Sequence, residues 1–206
     1  MASTETAPTH LAPGSHFADP APLGLAGFAL TTFVLSVVNS NIIPVSLVGG
    51  ALGLALAYGG IAQFAAGLWA FAKGNTFGAT AFCSYGGFWI SFWWLAEHDL
   101  AGLGPDGHKV VGVYLLAWGI FTLYMTVAAT RVNSAVLAVF VLLTITYFLL
   151  AIGWFETSAL PPSNGWIYLG GYIGILTAIA AWYASFAGVT NFTFKRQVLP
   201  TGPLSR

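Results

Sequence analysis

The groups in this chain that could act on a solute are neutral hydroxyls and amides, arranged in rows within apolar segments. The first row has spacings of 4, 4 and 3 residues and comprises Phe28, Thr32, Ser36 and Asn39. The second row comprises Thr80, Ser84, Gly87 and Ser91, while Gln63 and Thr144 stand alone in two further segments. At about 100° per residue, each row falls on one face of a helix. Such groups either hydrogen-bond neighbouring helices or line a pore, where they replace part of an anion's hydration. The set as a whole favours the pore.

Ionisable side chains are missing from these apolar segments, since no Asp, Glu, Lys, Arg or His falls inside one. Buried ionisable groups are typical of proton relays and ion-coupled pumps. Metal centres and hydrolytic sites likewise need ligands or bases beside the reacting atoms, and no His can reach a Ser at that depth. We therefore expect no enzyme, no catalytic residue, no metal and no cofactor.

The composition predicts an all-α integral membrane protein. Of 206 residues, 57% are hydrophobic and only 6% are charged, whereas soluble domains carry about 25% charged residues. Six apolar segments are each near the ~20 residues that span a bilayer: 22–42, 44–72, 76–95, 110–129, 135–155 and 166–189. These define a predicted transmembrane domain over residues 19–194, between an N-terminal tail of residues 1–18 and a C-terminal tail of residues 195–206.

The basic residues predict the orientation in the cell membrane. With six segments, five basic residues share a side with both termini: Lys73, Arg131, Lys195, Arg196 and Arg206. Only Lys109 lies on the other side. Because cytoplasmic loops carry an excess of Lys and Arg, both termini are expected to be cytoplasmic. The net charge of zero gives no electrostatic footprint for nucleic acid.

Small and aromatic residues give three further expectations. Two small-residue pairs, Gly49 with Gly53 and Gly170 with Gly174, favour close helix packing. A tryptophan cluster is typical of a membrane-interface belt: Trp89, Trp93 and Trp94. The glycosylation sequon that begins at Asn191 is interpreted as a chance match, because it lies on the predicted cytoplasmic side.

Several motifs, in order along the chain, resemble those of one known family. The first is Asp19-Pro20-Ala21-Pro22-Leu23-Gly24, and the others are Tyr-Gly-Gly-Ile-Ala-Gln at 58–63, Gly-Asn-Thr-Phe-Gly at 74–78, Ser-Tyr-Gly at 84–86, Leu-Leu-Ala-Ile-Gly at 149–153 and Val-Leu-Pro at 198–200. Together they resemble the acetate uptake transporter family, which includes bacterial succinate–acetate permeases and fungal acetate/ammonia export proteins. The motifs cover residues 19–200.

The resemblance implies a six-helix protomer with its own pore, assembly into a homohexamer, and transport of acetate, with succinate and other short carboxylates as further candidates. It also implies a narrow constriction formed by Phe28, Tyr85 and Leu143. Tyr85 could in addition donate a hydrogen bond from its phenol to a passing carboxylate.

Two departures from the family pattern stand out. Asp19 replaces the leading Asn of the first motif, which adds a negative charge at the expected cytoplasmic mouth. Ala70 stands where relatives often have Glu. The residues leave open an anion channel or a proton-coupled symporter, a channel for ammonia or another small neutral solute, and a non-transporting oligomeric scaffold in the membrane.

Overall fold

The computed structural model describes residues 17–157, 160 and 162–204, and these residues form six helices without a strand. Their bounds are α1 Ala21–Asn39, α2 Val45–Ala72, α3 Thr76–Trp94, α4 Gly107–Ala129, α5 Ser134–Phe155 and α6 Gly165–Thr193. The all-α prediction of six segments is confirmed. Most of the predicted tail at residues 1–18 lies outside the described residues.

Five of the described helices are long and apolar enough to cross a membrane: α1, α2, α4, α5 and α6. α3 has 19 residues but is less apolar, because it carries the second polar row and several glycines. The side chains of α3 nevertheless contact several other helices. They contact Gly24 of α1, Gly67 of α2, Thr122 of α4 and Phe140 of α5. α3 therefore contacts four of the other five helices.

Asparagine side chains start three of the helices. Asn75, Asn133 and Asn164 each accept hydrogen bonds from backbone N–H groups in the first turn of α3, α5 and α6 respectively. Because the first N–H groups of a helix have no partner within it, such a side-chain oxygen stabilises the helix start. The cap of the last helix is Asn164, directly before Gly165.

α2 changes its winding in the middle. Residues Ala55–Ala62 form a π-helical segment between two α-helical stretches. At this level the helix lies very close to α1, since a β-carbon on Gly27 would fall 2.6 Å from the carbonyl oxygen of Tyr58. A β-carbon on Gly59 would collide with Thr31, whose hydroxyl donates to the Gly27 carbonyl at 2.8 Å. The π-helical segment, which is wider than an α-helix, ends at Ala62, directly before Gln63.

The two predicted glycine pairs behave differently. Gly170 lies against Leu150 of α5 and Gly174 lies against Ser36 of α1, so this pair packs helices within the protomer as predicted. Gly171 beside them contacts the backbone of Ser40. In contrast, Gly49 and Gly53 face open space in the described chain, so they pack no helix within the protomer.

Two predictions require correction: the assignment of the tryptophan cluster to an interface belt, and the residue at which α4 begins. Trp89 is only 3% exposed, whereas Trp94 is 52% exposed; Trp89 packs inside the bundle and does not belong to an interface belt. α4 begins at Gly107, three residues earlier than predicted, so His108 and Lys109 fall in its first turn. Lys109 pairs with Asp106 at 2.6 Å, and this hydrogen bond lowers the pKa of the Asp106 carboxyl. These charges lie at the helix end, and the interior of the helix has none.

Candidate functional site

A cavity of about 270 Å³ opens at the end of the bundle where α1, α3 and α5 begin. Its lining changes from exposed or half-exposed polar residues at one end to buried residues at the other. The polar end, called the mouth here, is formed by Asp19, Asn75, Asn133 and Thr201. The buried end, called the inner end, is formed by Phe28, Gln63, Tyr85, Phe140 and Leu143.

The three residues expected at a constriction lie together at the inner end. Phe28 comes from α1, Tyr85 from α3 and Leu143 from α5, and each is at most 4% exposed. The ring centroids of Phe28 and Tyr85 are 5.8 Å apart. Three helices therefore bring three apolar faces to one end of one cavity. That this end is the narrowest point of a pathway stays a prediction.

The phenol of Tyr85 is already engaged. Its oxygen lies 2.9 Å from the hydroxyl oxygen of Thr122, and that hydroxyl donates its only hydrogen to the Trp118 carbonyl at 2.8 Å. Tyr85 must therefore donate to Thr122, because a hydroxyl has one hydrogen. The expectation that Tyr85 donates to a solute is not met in this structure.

Gln63 is the polar group of the inner end. Its side chain is 1% exposed, and its amide oxygen is buried without a hydrogen-bond partner among the described residues. Leaving a buried acceptor unpaired costs about 1–3 kcal/mol, and such groups in native proteins call for an explanation such as a bound ligand or water. A π-helical segment directly precedes Gln63, and such segments often occur at functional sites. Its position supports a ligand or water as the partner of the Gln63 amide. Gln63 thus places a buried amide, whose oxygen has no partner among the described residues, at the wall of the cavity.

Six other residues predicted to line a path do not line this cavity: Thr32, Ser36, Asn39, Thr80, Ser84 and Thr144. Ser36 packs against Gly174 of α6, and Thr144 bonds to Thr126 and to the Phe140 carbonyl; both fit the helix-contact interpretation. Thr32 differs, because its hydroxyl is buried without a partner in the described chain. A role for these six in a path stays a prediction.

The mouth contains residues that sequence reasoning missed. Asn75 and Asn133 use their amide oxygens to cap α3 and α5, which leaves their N–H₂ groups as the donors of the mouth. Asparagines directly before apolar runs are a readable signal for such caps. Thr201 comes from the C-terminal segment, and nothing in the local sequence links it to the other residues.

The formal charge in the lining of the cavity comes from the side chain of Asp19. Among its lining residues in the described chain, Asp19 is the only Asp, Glu, Lys, Arg or His. One oxygen of its carboxylate accepts the backbone N–H of Ala21 at 3.1 Å, where a negative group is favourable at a helix start. Ala70, the second departure from the family pattern, is fully buried in α2. The cavity therefore offers no fixed positive charge to an anion.

The sequence profile of the GPR1/FUN34/yaaH family matches residues 3–206. The chain belongs to this family. The match confirms the resemblance read from the ordered motifs.

Two of the relatives by sequence are named as transporters. The succinate-acetate/proton symporter SatP of Escherichia coli strain K12 is 41% identical over 187 residues, which cover 90% of this chain and 95% of SatP. Ammonia transport outward protein 2 of Saccharomyces cerevisiae is 40% identical over 186 residues, which cover 87% of this chain. The matched region is 64% of the length of that yeast protein.

A solved structure shares the fold. The structure of the bacterial acetate channel SatP superposes with a TM-score of 0.81 at 40% sequence identity, covering 90% of this chain and 99% of the other. Together with the apolar helices, this match makes the chain an integral membrane protein of the same architecture.

Proposed function

We propose that this protein conducts acetate and related short monocarboxylates across the cell membrane, with succinate as a further candidate. The observation that carries the proposal is the cavity that ends at Phe28, Tyr85 and Leu143 with the unpartnered oxygen of Gln63. A small acid fits such a site, since its apolar methyl group meets apolar walls while its polar end meets one amide. The names of the SatP relatives support the same substrate class.

The groups at the inner end favour the uncharged acid over the anion. The described residues of the walls there carry no positive charge that could pair with a carboxylate, and the phenol hydrogen of Tyr85 is already donated to Thr122. The amide of Gln63 is the side-chain group left to bind a carboxyl group, and an amide binds the protonated acid through one accepted and one donated hydrogen bond. Protonating a carboxyl group with a pKa of about 4.3 costs about 3.7 kcal/mol at pH 7. Burying an unpaired carboxylate costs several kcal/mol and up to about 20 in the ideal limit. Protonation is the smaller cost, so the solute carries its own proton past the constriction.

This route gives coupling without a carboxylate, imidazole or amine side chain among the described residues at the inner end of the cavity. One proton crosses with each acetate because both are parts of the same molecule. The result is thermodynamically the same as a one-to-one symport, although the protein has the form of a channel. The donors of the mouth, Asn75 and Asn133, bind the anion before it takes up its proton.

We also propose the orientation and assembly that the sequence indicates. Both termini lie in the cytoplasm, which puts the mouth on the cytoplasmic side. The six-helix domain of residues 19–194 assembles as a homohexamer. The open glycine face of Gly49 and Gly53 supports an interface between copies, since small residues allow helices to approach closely in lipid.

The test uses purified protein in proteoliposomes. Acetate uptake is measured with a pH gradient at zero membrane potential, and then with an imposed potential at equal pH. We expect uptake that follows the pH gradient and is insensitive to the potential. An acetate current driven by potential would show that the anion passes and would contradict the acid route. Absence of uptake in both conditions would contradict the transport proposal.

Two variants of one residue test the constriction. Tyr85→Phe keeps the ring and removes only the hydrogen bond to Thr122, so acetate selectivity should stay close to that of the wild type. Tyr85→Ala removes the ring and should admit bulkier monocarboxylates. If Tyr85→Ala changes oligomer size on gel filtration but leaves every flux unchanged, the scaffold alternative is favoured.

Ammonia is a second candidate that a specific feature supports. An N–H donor would satisfy the Gln63 oxygen as well as an acid O–H does, and one relative is named as an outward ammonia transporter. Competition between acetate and ammonia for flux in the same vesicles tests this. Mutual inhibition supports a shared route, whereas ammonia flux unaffected by saturating acetate would contradict it.

A further inference from the structure

The C-terminal segment of residues 198–204, called the strap here, folds back onto the bundle. It forms an antiparallel bridge in which Pro203 pairs with Asn133, and the Leu204 N–H donates to the Val132 carbonyl at 3.3 Å. Tyr183 of α6 donates its hydroxyl to the Pro200 carbonyl at 2.6 Å. The predicted tail thus connects the end of α6 to the start of α5.

Asn191 holds the beginning of the strap through both the oxygen and the nitrogen of its side-chain amide. Its oxygen accepts the N–H groups of Val198 at 2.7 Å and Leu199 at 2.9 Å, and its nitrogen donates to the Leu199 carbonyl at 2.8 Å. An amide that makes three bonds to one short segment holds that segment in a single position. These bonds also occupy the side chain of the sequon residue.

The strap also completes the start of α5. The carbonyl of Gly202 accepts the Ser134 N–H at 2.7 Å, and the carbonyl of Thr201 accepts the Ala135 N–H at 3.1 Å. The first N–H groups of a helix have no intrahelical acceptor, so these two carbonyls take positions that an anion or water would otherwise fill. Gly202 has a φ of +64°, a conformation that glycine adopts without strain and that lets the chain turn here.

This placement makes the strap a wall of the cavity mouth. Thr201 lines the cavity together with Val132 and Asn133, and its position depends on bonds on both sides of it. We propose that Asn191 is a positioning residue that holds Thr201 at the mouth, and that the strap thereby limits the size of the carboxylate admitted. The size-selection part rests on the transport function proposed above.

The chain provides a matched control for Asn191. Asn164 has the same hydrogen-bond inventory: its oxygen accepts two N–H groups, from Trp166 and Ile167, and its nitrogen donates to the Gly153 carbonyl. It begins α6 and does not line the cavity. Asn191→Ala and Asn164→Ala therefore remove equal sets of bonds, and only the first concerns the strap. Asn191→Asp keeps both accepted bonds and should rescue most of the effect.

The first readout is independent of transport. Hydrogen–deuterium exchange of the backbone amides in residues 198–204 reports whether the strap is held. In Asn191→Ala we expect exchange to rise roughly 100-fold, because three hydrogen bonds are lost and each is worth about a fivefold factor. In Asn164→Ala the strap should exchange as in the wild type. Unchanged protection in Asn191→Ala would overturn the positioning role.

The second readout is the ratio of uptake of a bulkier acid, benzoate, to uptake of acetate in proteoliposomes. The ratio should increase severalfold in Asn191→Ala and stay at the wild-type value in Asn164→Ala. A released strap with an unchanged ratio would overturn the size-selection role. If the wild type transports neither acid, the transport proposal fails, while the exchange measurement still decides whether Asn191 positions the strap.

Discussion

Replacing Gln63 with leucine should make the protein more stable and its acetate transport slower. Gln63 is almost fully buried, and its amide oxygen has no partner among the described residues. Leucine has a similar size and a similar helix propensity, so the exchange removes the polar group with little change in packing. Opposite effects on stability and transport are the signature of a group retained for its ligand.

The structure sets the size of both effects. Removing an unpaired buried acceptor relieves about 1–3 kcal/mol. For a chain of this length, each kcal/mol shifts the unfolding midpoint by about 2–4 °C, which gives a rise of about 2–12 °C. A lost hydrogen bond to the solute is worth about 0.5–1.5 kcal/mol, so acetate flux should fall by a factor of about 2 to 13.

The assay compares the wild type, Gln63→Leu and Gln197→Leu in one detergent and one lipid mixture. Thermal unfolding of the purified proteins gives stability, and uptake of labelled acetate gives transport. Gln197 is the other glutamine of the chain and is exposed. Its replacement should change stability by no more than about 0.5 kcal/mol and leave acetate uptake unaltered.

Two results would refute this reasoning. A Gln63→Leu protein that is less stable than the wild type would mean that the amide has a stabilising partner in the folded state. A stabilised variant that transports acetate at the wild-type rate would mean that the solute does not use the amide.

Three further predictions test the packing, the mouth and the first polar row. Gly171→Ala should lose several kcal/mol of stability, because a β-carbon would overlap the backbone of Ser40. Gly87→Ala in α3 meets open space and should gain about 0.5–1 kcal/mol; thermal unfolding compares the two, and equal stabilities would contradict the packing. Asp19→Asn keeps an oxygen for the Ala21 N–H and removes the charge, so acetate uptake from the mouth side should rise about two- to fivefold at low salt and by less at high salt; the same rate at low salt would indicate that the solute passes Asp19 uncharged. Thr32→Val removes a buried unpartnered hydroxyl and should raise stability by about 1–3 kcal/mol, while lowered acetate uptake in this variant would put the first polar row on the path.

The sequence predicted which helices form and which three residues meet at the inner end. Long apolar runs separated by Pro, Gly and Asn gave helix ends within four residues of those observed, the largest difference being residue 189 against Thr193. Phe28, Tyr85 and Leu143 followed from motifs, and the fold brings them to one cavity. The helix bounds are written locally in the chain, whereas the meeting of the three residues was implied only by the resemblance to the family.

Other features could not be predicted, because lipid-facing and buried positions carry the same residue types in this chain. Trp89 and Trp94 are equally apolar, yet only Trp94 is exposed, and no amphipathic pattern separates them. Ser36 and Gln63 are both polar residues in apolar helices, but Ser36 meets a neighbouring helix while Gln63 meets the cavity. Helix contacts and pore linings draw on the same small polar residues.

Long-range pairing was the other limit. Thr201 reaches the mouth through bonds that join residues 198–204 to Asn191 and to the start of α5. A short segment with Pro and Gly reads as a flexible end, because its partners lie far away in the sequence. The predicted C-terminal tail therefore contained a wall of the candidate site.

The π segment of α2 has a consequence for how this protein can change its length. Each residue advances an α-helix by about 100°, whereas the π winding of Ala55–Ala62 advances by less per residue and holds about one residue more over the same two turns. A one-residue deletion within this stretch can therefore be absorbed by rewinding it as α-helix, which keeps Gln63 at the cavity and Gly67 against Cys83. The same deletion in the α-helical part after Gln63 has no such reserve and turns everything beyond it by about 100°. The π segment is thus the part of the helix in which a change of length disturbs the fold least.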